Sequence, residues 1–243
     1  GTLTGINEKL DGRTSALQHL VKGLAYYYVS QSDSAVSEFR QAAETPDWPP
    51  ELGKEVVYML IGTAQLRSYD PKAPIGQRDE ILRNASDSFA RARQLNPDYA
   101  RSYLGLGSVA LQQATIDPQR LDVEKLNEAS GWYSRSLNSA DQPVSAHVPL
   151  KAALGLGQIH LAGYKNQLPG WSADQARSYF ETAIAGYETD PSPDLAWLAG
   201  HAHCELGCLA GLEKSDWSTM STQCRKAIEI LQALPGAPPR NWI

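Results

Sequence analysis

Two short patterns alternate five times along this chain of 243 residues, and the alternation restricts it to a stack of paired helices. The first pattern is an apolar residue followed by glycine: Ile61-Gly62, Leu106-Gly107, Leu156-Gly157 and Leu206-Gly207. Lys22-Gly23 opens the series with a lysine in the apolar place. The second is a small residue, a large one four later, and a small one three after that. It reads Ala35, Phe39, Ala42, then Ala85, Phe89, Ala92, then Ala129, Tyr133, Ser136, then Ala176, Phe180, Ala183. A weaker copy, Met220, Cys224, Ala227, closes the series.

Offsets of three and four place residues on one face of a helix, so each second helix carries a small-large-small ridge. A glycine inside a helix costs about 1 kcal/mol relative to alanine. Its return at the same place in every first helix therefore points to close approach of the paired helix. One such hairpin cannot bury its apolar faces alone, whereas a row of them can. Within the first repeat Gly23 is followed by Tyr26, and Ala35 stands twelve residues beyond the glycine. In the second, Ala85-x3-Phe89-x2-Ala92 runs into Asn96-Pro97, and a proline there suits a helix end.

These residues resemble the tetratricopeptide repeat pattern of Gly-x2-Tyr, Ala-x3-Phe and a closing Pro, over roughly residues 15 to 234. The resemblance implies an all-α tandem helix-hairpin fold of about five repeats, wound into a right-handed superhelix. Departures from the family lie in the spacing. The glycines advance by 39, 45, 50 and 50 residues, against about 34 in a plain repeat. Much of the extra length falls between the two helices of the middle hairpins, at Asp70 to Glu80, Thr115 to Lys125 and Tyr164 to Ala173. Residues 1–14 read as an N-terminal extension, 15–234 as the repeat domain and 235–243 as a Pro-rich tail.

The formal net charge is −5 with no run of Lys or Arg, which argues against a nucleic-acid surface. Every apolar stretch is interrupted well short of the ~20 residues of a membrane span. The three cysteines, Cys204, Cys208 and Cys224, are an odd number confined to the last fifth of the chain. That is too few and too clustered for a disulfide framework, so reduced thiols and a cytoplasmic setting are expected.

Catalytic signatures are missing from the sequence. Leu104-Gly105-Leu106-Gly107 and Leu154-Gly155-Leu156-Gly157 contain Gly-x-Gly, but on helical stretches with no strand before them, so helix packing explains them better than a nucleotide. Neither a Gly-x-Ser-x-Gly elbow nor His-Glu-x-x-His occurs. The expectation is a protein without catalytic residues, resident metal or cofactor. The alternative is a small-molecule or metal site on the face formed by His201, Cys204 and Cys208, whose i, i+3, i+7 spacing sets soft ligands in line. Trp171, in the Leu168-Pro169-Gly170-Trp171 insertion, is either a binding anchor or a lid folded over its own hairpin.

The expected function is a protein- or peptide-binding scaffold, a module of a larger regulatory or assembly protein. In the tetratricopeptide family the first helices line the concave surface, which implies a groove built from parallel rows. The first rows are Leu17, Leu20, Leu24, Tyr27, then Val56, Met59, Thr63, Leu66, then Arg101, Leu104, Ser108, Leu111. Lys151, Leu154, Gln158, Leu161 follow, and then His201, Cys204, Cys208, Gly211. Leucine or methionine in the second place of the first four rows suits an apolar helix or an extended peptide. A second copy of the chain, the N-terminal extension or the long loops are the other candidate occupants. Relatives that clamp an acidic chaperone tail use Lys, Asn and Arg here. This chain has Leu20, Leu24, Thr63 and Arg101 in those places, so no such binding is expected.

Overall fold

The computed structural model describes residues 15–234 apart from 50, 118, 140–146 and 215. The expected N-terminal extension and Pro-rich tail lie outside the described residues. Ten helices run through the described part: α1 (Ala16–Tyr28), α2 (Ser32–Glu44), α3 (Glu55–Arg67), α4 (Ile75–Leu95) and α5 (Ala100–Ala114). They continue as α6 (Val123–Leu137), α7 (His147–Lys165), α8 (Ala173–Thr189), α9 (Pro193–Lys214) and α10 (Trp217–Gln232). The fold is all-α, a tandem array of helix hairpins.

Local chemistry fixes where the helices begin and turn. Ser15 caps α1 in a reciprocal box: its hydroxyl accepts from the Gln18 amide at 3.3 Å, and its own amide donates to Gln18 Oε1 at 3.0 Å. Asp122, Ser172 and Asp216 cap α6, α8 and α10 through the amide three residues on. The turn between α7 and α8 needs two left-handed residues, Gln167 at φ 55° and Gly170 at φ 86°, and glycine occupies the second without a steric penalty.

The chain divides into two compact units, residues 1–120 and 121–243. The division falls between α5 and α6, the two helices that the repeat pattern pairs as the third hairpin. In the first unit α1 packs on α2, α2 on α3, α3 on α4 and α4 on α5. In the second α6 packs on α7, α7 on α8, α8 on α9 and α9 on α10, with α7 also meeting α9.

Glycine and ring interlock as the repeat requires. A Cβ on Gly62 would stand 2.8 Å from the Phe89 ring, and one on Gly157 2.5 Å from Phe180. Gly23 meets Phe39 in the same way. The Gly-x-Gly pairs have a packing role as well. Gly105 takes the second side of Phe89, the ridge ring of the preceding hairpin, and Gly155 takes Tyr133. Phe39, Phe89, Tyr133 and Phe180 are all buried. Each ring thus fills a slot that only a missing side chain leaves open.

Polar ties accompany this packing at matching places. His19 Nδ1 lies 2.7 Å from Glu38 Oε2 between α1 and α2. His203 Nδ1 lies 2.6 Å from Gln223 Oε1 between α9 and α10. In both hairpins the histidine stands four residues before the glycine and its partner one before the ridge residue. Ser88 donates to Gln65 at 2.8 Å between α4 and α3. These buried groups have partners, so their desolvation is offset.

Candidate partner-binding surface

The three first-helix rows of the first unit are neither core nor free surface. On α1, Leu20, Leu24 and Tyr27 are half-buried and rest on the core formed by Phe39, Ala42, Val57 and Ile61. On α3, Met59, Thr63 and Leu66 are half-buried; on α5, so are Leu104, Ser108 and Leu111, while Arg101 is exposed. The two aliphatic hydroxyls turn back on their own helices. Thr63 Oγ1 donates to the Met59 carbonyl at 2.8 Å, and Ser108 Oγ to the Leu104 carbonyl at 3.0 Å. With those hydroxyls bonded to their own backbone, the rows present mostly methyl and aliphatic surface.

Arg67, at the end of α3, fixes the far end of the α1 row. Its Nη1 donates to the Tyr27 carbonyl at 3.0 Å and its Nη2 to Ser30 Oγ at 3.1 Å. The guanidinium carbon also lies 4.6 Å from the Tyr27 ring centre, a cation–π distance. Tyr28 stacks edge-on against Tyr27, 6.0 Å between centroids, and is largely exposed.

The fourth row is different, and here the expected groove is corrected. Leu154 and Leu161 are buried in the core of the second unit with Leu195, Leu198, Ala202, Leu206 and Leu209 of α9. Only Lys151 and Gln158 of that row stay half-exposed, and Gln158 donates to Glu205 of α9 at 3.3 Å. Helix α9 therefore occupies the place that the groove reading assigns to a partner.

The fifth row does not gather into a metal site. His201 stacks on Trp197, 4.7 Å between centroids and 26° between planes, while Cys204 and Cys208 are exposed. Among the described residues no group of three or more His, Cys, Asp or Glu is placed to hold a metal ion. No described helix is long and apolar enough to cross a membrane.

Trp171 folds back over its own hairpin. It lies on Gly163 and meets the His160 ring edge-on at 5.0 Å between centroids; Tyr179, on the other helix, lies 5.6 Å from the His160 ring. His160 is 8% exposed, and its Nδ1 has no hydrogen-bond partner. Burial pushes its pKa below the usual imidazole value.

One feature has no signature in the sequence. A cleft of about 470 Å³ opens between α2 and α4 over the end of α3, lined by Arg40, Glu44, Gln65, Ser68, Ile81 and Asn84 among others. Its walls are the outer faces of α2 and α4 with the last turn of α3, which in a sequence look the same as any solvated face.

No family model and no curated protein matches the sequence. Among solved structures the chain is similar to BtubC (BKLC) from P. vanneervenii, with a TM-score of 0.55 and 16% identity over 92% of this chain and 83% of that one. At that identity the likeness is one of helical fold.

Proposed function

We propose that the chain is a protein- or peptide-binding scaffold of the tetratricopeptide kind, without catalysis of its own. One observation carries this reading: the half-buried, largely apolar rows on α1, α3 and α5, in which the Thr63 and Ser108 hydroxyls are bonded to their own helices. Side chains held in place by the core beneath them lose little further entropy on binding. Aliphatic and tyrosine side chains of this kind suit an amphipathic helix or an extended peptide with spaced apolar anchors. Arg101 at the edge of the α5 row would favour an acidic residue in the ligand near that end. The second unit contributes less, because α9 already covers the α7 row.

Selection from a random peptide display library on the immobilised chain tests the reading. Bound peptides should share apolar residues at helical or alternating spacing, and they should fail to bind Leu104→Arg. Enrichment of peptides that bind wild type and Leu104→Arg equally would refute the α5 row as the site.

A further inference from the structure

In the first, second and fourth hairpins a ridge ring covers the glycine of the first helix. The fifth hairpin replaces the ring with Cys224, whose Sγ lies 3.3 Å from where a Cβ on Gly207 would stand. A thiol fills less of that slot than a phenyl ring, and Cys224 stays only half-buried. Around the same glycine α9 carries two exposed thiols, Cys204 and Cys208. Cys204 stands three residues before Gly207 and shares its face, whereas Cys208 stands one residue after and is turned by about 100°. Cys204 and Cys208 themselves are one turn apart, about 5–6 Å between Cβ atoms, too far for a bond that needs about 3.5–4.5 Å.

We propose that Cys204 and Cys224 are a redox-modification site, forming a reversible disulfide that joins α9 to α10, with a small-molecule disulfide such as glutathione disulfide as the oxidant. The Cys204 thiolate attacks one sulfur of the oxidant, and one glutathione leaves as a thiolate. The Cys224 thiolate then attacks the Cys204 sulfur. The bond between the two cysteines forms as the bond to glutathione breaks, releasing the second glutathione. Two cysteine thiols give up two protons and two electrons, and one glutathione disulfide takes them up as two glutathiones. Partial desolvation where α9 meets α10, with Cys224 and Cys208 beside it, raises the pKa of Cys204 even though the residue is exposed as a whole, so the first step quickens as pH rises above neutrality.

Exposure of the full chain to glutathione disulfide, followed by alkylation and peptide mapping, tests this. Cleavage at Lys214 and Glu205 separates all three cysteines. The expected product has lost two hydrogens, links the Cys204 and Cys224 peptides, reverts with dithiothreitol, and forms equally in Cys208→Ser. Cys224→Ser should give only glutathione adducts. A link to Cys208 instead, an internal disulfide surviving in Cys204→Ser, or stable glutathione adducts alone on the unmutated chain would each overturn the proposal.

Discussion

At the scale of single residues the fold depends on absent side chains. Phe89 is held between Gly62 and Gly105, and a methyl group on either glycine would collide with its ring. Gly105→Ala should therefore cost about 1–3 kcal/mol through overpacking. Gly131 is exposed on α6, and a methyl group placed there would meet nothing within 4 Å. It should behave oppositely: Gly131→Ala should gain up to about 1 kcal/mol. Urea unfolding of the two variants checks both signs. His160 adds a pH dependence. Its pKa is lower in the fold than in the unfolded chain, so unfolding takes up a proton between those two values. The stabilisation is full above the unfolded value of about 6.5 and is lost as pH falls through the folded value. Replacing His160 with tyrosine, the type that the first repeat has as Tyr26, should flatten the fall in stability between about pH 7.5 and 5. An unchanged slope would show that the buried imidazole contributes nothing to it.

At the scale of helices, the interlock is legible in the sequence because it leaves a signature. Gly62 with Phe89 and Gly157 with Phe180 recur at fixed offsets, and no solvated face would need a glycine there. The boundaries are less legible. Helix α4 starts at Ile75, inside the expected loop from Asp70 to Glu80. Its buried face extends back through Leu82 to Arg78, and an arginine carries no apolar signal. The fate of the α7 row is hidden for another reason: helical spacing places Leu154 and Leu104 alike, but not what covers them. A clue lies in α7 itself, where Ala152, Ala153, Leu156, Ile159 and Leu161 leave hardly any polar side, as in a helix buried all round. Leu154→Arg should thus destabilise the second unit by about 3–5 kcal/mol, as an unpaired buried charge does. Leu104→Arg, at a half-buried place, should leave far-UV circular dichroism and the urea midpoint close to wild type. Equal destabilisation by both would mean that the α5 row is also core.

At the scale of the whole molecule, the repeat signature runs through five copies, while the contacts divide the chain after Arg120. Nothing in the residue pattern marks that division, because the third pair, Gly107 and the Ala129-Tyr133-Ser136 ridge, matches the repeat as well as its neighbours do. The two units also differ in what their first helices leave open: α1, α3 and α5 keep apolar rows half-exposed, and α7 has its row closed by α9. Binding is accordingly assigned to the first unit. Titration of a library-selected peptide into wild type, Leu104→Arg and Gln158→Arg by calorimetry tests that assignment most directly. Leu104→Arg should lose at least about tenfold in affinity, about 1.4 kcal/mol, with its fold intact, and Gln158→Arg should bind unchanged. Undiminished binding by a folded Leu104→Arg would contradict that assignment.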